Sequence, residues 1–316
     1  MEKDVKEFLK YAGLTVTTLG ALDCAITKWL YKFAFQRVAE VPQPAADKMK
    51  YQNDYYHYVD WLHQQDIETW QLHANDPHNK VVATWVPKPG SNKAVIVSHG
   101  YKGTGETMAN FAHMFNELGY NVLLPDDRGQ GRSSGKYLNF GWIDRIDYVD
   151  WIYRIIARLG ENCEIILHGV SMGGATVELT AGEELPTNVK AIIADCGYSN
   201  LEDEMGYLLN TEFHLPKHPF LELASLINKQ KLGFYLRDVA PERELQKNHR
   251  PILFIHGERD VYVPTQMSRI NYNNNAGPKR LWIVPSAVHA ESFWINPYHY
   301  QTHVARFLED VAQQRV

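Results

Sequence analysis

The chain has 316 residues, 45% of them hydrophobic and 22% charged, with a formal net charge of −5 at pH 7. That length supports one large α/β domain or two modest ones, and the composition is that of an ordinary soluble globular protein. The negative charge and the lack of any Lys/Arg-rich block exclude an electrostatic footprint for nucleic acid. The three cysteines, Cys24, Cys163 and Cys196, are widely spaced and odd in number. They make neither a disulfide framework nor a Cys-x-x-Cys metal site, and suit a reducing compartment, so a cytoplasmic location is expected. Cys163 and Cys196 read as small core residues on strands.

At the N-terminus, Ala12 to Leu22 is mildly apolar, but Asp23 interrupts it, and Trp29 to Phe35 carries Lys32. No clean apolar run reaches the roughly 18 residues a membrane-spanning helix needs. Lys3, Lys6 and Lys10 alternate with Glu2, Asp4 and Glu7, unlike the positive leader of a secretory signal. The segment reads as an amphipathic helix docked on the body or on a partner. Peripheral membrane association through residues 1–40 is the alternative. Pro42, Pro44 and a run of tyrosines make 41–60 a connector with a short helix. The expected division is therefore a helical segment and connector over 1–60 and a main domain over 61–316.

Eight strand-like segments follow. Ile67–His73 and Val81–Val86 alternate around Asn75-Asp76-Pro77, a hairpin signal. Lys93–Ser98 is a short buried strand, followed by a helical pattern over about 106–118 that stops at Gly119. Further strands are expected at 121–124, 164–168, 189–194, 251–256 and 280–284. Trp142 to Leu159 has helical spacing and ends at Gly160, and Asn296-Pro297 opens a last helix with a cap and a first-turn proline. Short apolar strands alternating with helices predict a mostly parallel sheet covered on both faces. Function in such sheets gathers beyond the carboxyl ends of the strands.

Beyond one strand the chain reads Gly169-Val170-Ser171-Met172-Gly173-Gly174, then turns helical. Strand, Gly-x-Ser-x-Gly, helix is the setting of a nucleophile elbow: a tight turn exposes the hydroxyl, and glycines two residues to either side avoid collision. A hydroxyl needs an imidazole base, and the base needs an orienting carboxylate. Asp260 follows a later strand and His289 the last one, so the chain order is Ser171, Asp260, His289. Asp195 also ends a strand and is the rival orienting acid. His168, His99 and His256 are expected to be structural.

These residues resemble the α/β-hydrolase superfamily over about residues 60–314. His99-Gly100-Tyr101, Asp127-Arg128-Gly129-Gln130-Gly131, Ser171-Met172-Gly173-Gly174 and His256-Gly257-Glu258-Arg259-Asp260 are similar to bacterial serine hydrolases grouped with S9/S33 peptidases and Bem46-like esterases. The resemblance implies an eight-stranded α/β-hydrolase fold with Ser171 as nucleophile, His289 as general base and then acid, and Asp260 as its orienting acid. It implies oxyanion donors at the backbone N–H groups of Tyr101 and Met172. It also makes the excursion over 198–248 a small helical cap, with Tyr198, Phe213, Phe234 and Trp294 as candidate pocket residues. The expected activity is hydrolysis of small or medium acyl esters. S9/S33-like peptide hydrolysis, or thioester or acyl-protein hydrolysis, is the alternative, and a non-catalytic binding protein on a hydrolase scaffold is a remote one. Glu202, Asp203 and Glu204 are the candidate acidic anchor for a peptide amine.

Gly129 to Lys136 fails as a phosphate loop, because Gln130 stands where glycine is needed and Tyr137 where Ser or Thr is needed. No His-Glu-x-x-His, Cys/His cluster or dinucleotide fingerprint is present, so no cofactor or metal is expected.

Overall fold

The computed structural model describes residues 22–41, 50–73 and 78–316. The chain divides into two compact units: residues up to Gln36 with Glu202–Asp238, and Arg37–Leu201 with Val239–Val316. In this division the described N-terminal residues up to Gln36 group with the excursion, and residues 50–60 belong to the larger unit. Residues 1–21 and the Asn75-Asp76-Pro77 turn lie outside the described residues.

In the smaller unit, residues 22–35 are helical (α1). Tyr31 stacks on Phe35 with ring centroids 4.4 Å apart, and its hydroxyl donates to Asn228 Oδ1 at 3.0 Å. Among the described residues no helix is long and apolar enough to cross a membrane.

The larger unit contains α2 (Gln52–His63), β1 (Glu68–Leu72), β2 (Val81–Val86), β3 (Lys93–Ser98), α3 (Ala109–Glu117), β4 (Asn121–Asp126) and α4 (Asp144–Leu159). It continues with β5 (Glu164–Val170), α5 (Met172–Ala181) and β6 (Val189–Asp195). The excursion supplies α6 (Leu201–Phe213) and α7 (Phe220–Leu232). The chain closes with α8 (Pro241–Glu244), β7 (Ile252–Gly257), α9 (Gln266–Asn274), β8 (Lys279–Val284), α10 (Ser292–Ile295) and α11 (Pro297–Ala312). Asn296 caps α11 by accepting the His299 N–H, as its position before Pro297 predicts.

The strands form one eight-stranded sheet in the order β1-β2-β4-β3-β5-β6-β7-β8. β1/β2 and β2/β4 pair antiparallel and every later pair is parallel. This is the mostly parallel eight-stranded sheet the sequence predicts. β4 runs past its expected end at Leu124, because β2 pairs through Ala83↔Pro125 and Val82↔Asp126. α4 starts two residues later than expected. The Asn139 side chain accepts the Ile143 and Asp144 N–H groups and sets the helix entry there.

Alternate residues of each strand feed two cores. Val95, Val97 and Ile166 pack with Val59 of α2, Phe111 and Phe115 of α3, and Phe307 of α11. Ala94, Ile96, Ile165 and Leu167 pack on the other face with Tyr148, Trp151 and Ile155 of α4 and with Val177 of α5. Each large side chain buried this way contributes about 1.5–3 kcal/mol. All ten residues of α5 are buried, so the helix that follows Ser171 is held on every side.

Candidate active site

Parallel register brings the strand ends together: Ser98 lies opposite Gly169, and Val170 opposite Asp195. Between them Ser171 adopts φ 60°, ψ −120° as the N-cap of α5. Its N–H donates to the Asp195 carbonyl at 2.8 Å, and its own carbonyl accepts from Ala175. A Cβ on Gly169 would lie 2.1 Å from the Gly173 carbonyl oxygen, and one on Gly173 would lie 2.2 Å from that of Ser98. Backbone on both sides thus forbids any other residue at either glycine.

Ser171 Oγ lies 2.8 Å from His289 Nε2, and His289 Nδ1 lies 2.7 Å from Asp260 Oδ2. The carboxylate fixes the tautomer: Nδ1 carries the proton and donates it, which leaves Nε2 to accept the serine hydroxyl. Asp260 Oδ1 accepts the N–H groups of Tyr262 and Val263 at 3.0 and 2.9 Å. Burial would raise the Asp260 pKa, but the hydrogen bonds from His256 and His289 outweigh it and hold the carboxyl well below its ordinary value. The site therefore offers a polarised hydroxyl, a neutral imidazole base and a carboxylate to stabilise the imidazolium, which is what acyl transfer requires.

Met172 is the first residue of α5, so its N–H has no partner within the helix. A Cβ placed on Gly100 would lie 3.6 Å from Ser171 Cβ, which puts the His99-Gly100-Tyr101 turn beside the serine. The two expected oxyanion donors belong to these two backbone segments. The Tyr101 ring stacks on Phe140 at 5.6 Å, and burial raises its phenol pKa above the ordinary range.

Asp195, the rival acid, does not meet His289. Its oxygens accept from the Ser292 and Tyr300 hydroxyls at 3.1 Å each, and burial raises its pKa to about 6. His168 is buried, 3.2 Å from the Tyr300 hydroxyl, and burial lowers its pKa to about 3. His99 accepts the Asp127 N–H at Nε2 and donates from Nδ1 to the Gly100 carbonyl, which holds the turn beside Ser171.

Two residues that sequence reasoning did not place at the site are there. His256 Nε2 lies 3.1 Å from Asp260 Oδ2 and 2.9 Å from the Val263 carbonyl, and its Nδ1 meets Ser268 Oγ at 2.5 Å. The expected structural histidine thus shares the carboxylate oxygen that His289 uses. The Tyr262 ring packs against the His289 imidazole at 5.0 Å. Proximity in sequence to Asp260 is the only signal that could have pointed to either.

The pocket expectations fare differently. Tyr198 is buried with its hydroxyl donating to the Phe140 carbonyl at 2.7 Å. Trp294 stacks on Tyr51 at 5.5 Å and meets Tyr58 edge-on, so it anchors the start of α2. Within the smaller unit, Phe213 packs edge-on against Trp29 and Phe33, and Phe234 is buried with its carbonyl bonded to Asn228. Of the acidic candidates Glu202, Asp203 and Glu204 in the first turn of α6, Asp203 pairs with Lys217 at 3.5 Å and Glu204 is buried.

Comparison with known proteins agrees with this architecture. A family model described as "Serine aminopeptidase, S33" matches residues 89–231. The Bacillus subtilis protein YqkD is 31% identical over 217 residues, covering 69% of this chain and 71% of that protein. A macaque lysophosphatidylserine lipase, ABHD12, is 28% identical over 197 residues, and the match spans 58% of this chain and 45% of the lipase. The Pyrococcus furiosus esterase Pf2001 superposes with a TM-score of 0.62 at 20% identity, over 87% of this chain and 96% of that one, and so speaks to the fold. By the eight-stranded sheet, the S33 match and the kinship with YqkD, the chain belongs to the α/β-hydrolase superfamily and is a hydrolase.

Proposed function

We propose that the protein is a serine hydrolase of the carboxylesterase type, cleaving small or medium acyl esters through an acyl-enzyme on Ser171. The observation that carries this reading is the hydrogen-bonded line from Ser171 Oγ through His289 to Asp260, with links of 2.8 and 2.7 Å. Ser171 Oγ attacks the ester carbonyl while His289 Nε2 takes its proton. The oxyanion is stabilised by the N–H groups of Met172 and Tyr101, each worth about 100–1000-fold in turnover. The tetrahedral intermediate collapses to the acyl-serine as His289 returns the proton to the leaving alcohol. Water, deprotonated by the same imidazole, then releases the acid. The aromatic rings of Tyr101, Phe140 and Tyr262 around this machinery favour apolar acyl or alcohol groups. Ester chemistry is also in the names of two similar proteins, the lysophosphatidylserine lipase and the esterase.

A second reading has its own support: the matching family model is named for a serine aminopeptidase. The two are separated by comparing p-nitrophenyl esters from acetate to dodecanoate with aminoacyl p-nitroanilides, in wild type and Ser171→Ala. Ester turnover that vanishes in the variant supports the esterase reading, and its best chain length measures the acyl site. Serine-dependent turnover of the anilides alone replaces it with the peptidase reading. Turnover untouched by Ser171→Ala refutes both.

A further inference from the structure

Among the described residues, one mixed set of soft and hard ligands converges: one donor atom each from Cys196, Asp260 and His289 lie within 4.8 Å of one another. Cys196 follows β6 in the left-handed region at φ 47° and is fully buried, while Asp260 is almost fully buried. The spacing in sequence, 196, 260 and 289, hides the cluster from any ligand motif, and only the parallel order β6-β7-β8 brings the three strand ends together. The other acidic-histidine cluster, His73, Asp147 and Asp150, is of a different kind. Two of its members are exposed, and both Asp147 oxygens are held by Arg128 at 2.6 and 2.7 Å.

We infer that Cys196, Asp260 and His289 form a site for a thiophilic divalent cation, Zn²⁺ or Cd²⁺, whose occupancy switches the enzyme off. Thiolate, imidazole and carboxylate are the ligand set of zinc, and three protein ligands leave a fourth tetrahedral position for water. With metal–ligand bonds of about 2.0–2.3 Å, tetrahedral ligands stand roughly 3.5 Å apart, so small side-chain shifts close the site. Either imidazole nitrogen gives the same result. Metal on Nδ1 replaces the bond to Asp260 and moves the ring proton to Nε2, which can then no longer accept from Ser171. Metal on Nε2 displaces Ser171 directly. In both cases binding releases one proton, that of the Cys196 thiol. Cations that prefer all-oxygen ligands, Mg²⁺ and Ca²⁺, have no match here.

The inhibition arm rests on the Ser171 reading above, and the binding arm does not. Full-length Ser171→Ala protein titrated with Cd²⁺ should develop the ultraviolet thiolate-to-metal charge-transfer absorption at one equivalent, reversed by EDTA. The band should vanish in Ser171→Ala/Cys196→Ser and persist in Ser171→Ala/Cys24→Ser, whose altered thiol is the exposed one. Loss of an outer-shell partner alone costs about 10–100-fold in metal affinity, so Cys196→Ser should raise the Zn²⁺ concentration for half-inhibition of the otherwise wild-type enzyme at least tenfold. Cys196→Ala should do the same, which guards against a folding defect particular to one substitution. A charge-transfer band that survives Cys196→Ser, or no band at all, overturns the site. Equal Zn²⁺ sensitivity of wild type and both Cys196 variants overturns the switch. Metal binding with no turnover by any protein would count against the Ser171 reading and leave the site standing.

Discussion

Two buried aspartates stand at strand ends of the same sheet, each beside a histidine, with opposite proton affinities. Asp260 receives the His289 and His256 imidazoles on one oxygen and two backbone N–H groups on the other. Its pKa is pushed down despite burial. Asp127 follows β4 next to His99, but that ring spends Nε2 on the Asp127 backbone N–H. The Asp127 carboxyl is left with the Tyr148 hydroxyl at 3.0 Å and one oxygen without a partner. Burial, opposed only by that tyrosine and helped by Asp147 and Asp126, raises its pKa to about 8. Residue type and depth are alike in the two places. What differs is how many donors the surrounding turns aim at the carboxylate, and that decides which one works as an anion.

The sharpest test of the contrast is the chemistry itself. Ser171→Ala is expected to lower kcat by up to about 10⁶-fold, measured on the best ester. Asp260→Asn should cost about 10⁴-fold in kcat, because it permits the wrong His289 tautomer. Asp195→Asn should cost far less, and a loss equal to that of Asp260→Asn would return Asp195 to the role of orienting acid. His256→Gln removes one hydrogen bond to a charged group, worth about 1.5 kcal/mol. It should lower kcat/KM about tenfold and displace the acidic limb of its pH profile. A profile of unchanged shape would make His256 merely structural.

The smallest effect on activity is expected from the other aspartate. Asp127→Asn should leave kcat within about threefold and change stability instead. Unfolded Asp127 releases its proton near pH 4, whereas the folded group keeps it until about pH 8. The unfolded state binds fewer protons across that window, so Asp127 makes stability fall as pH rises from about 4 to 8 and then level off. Asp260 acts in the opposite sense: its contribution is complete above its ordinary pKa and is lost as pH falls below it. Melting curves from pH 4 to 9 should therefore show Asp127→Asn drawing ahead of wild type as pH increases. Parallel curves would mean that Asp127 is ionised in the folded protein.

The sequence by itself determined the eight strands, the elbow and the order Ser171, Asp260, His289. Each is written locally, in apolar runs bounded by turns and in glycines whose side chains would strike the backbone. It also set Asp260 ahead of Asp195, since Asp260 follows the later strand in a turn between Gly257 and Pro264, and the structure adds the N–H donors of Tyr262 and Val263. It did not determine where the units divide. Helix α1 joins the excursion through contacts such as Tyr31 with Asn228, 197 residues apart, which no local pattern encodes. Nor did it determine what the aromatic side chains do. Trp294 and Tyr198 carry the same local signal as a pocket wall, and only packing committed one to Tyr51 and the other to the Phe140 carbonyl. The second histidine on Asp260 and the thiol beside the triad were likewise settled by tertiary structure. Parallel pairing of β6, β7 and β8 places strand ends side by side that are tens of residues apart in the chain, and hydrogen bonds act over that short distance alone.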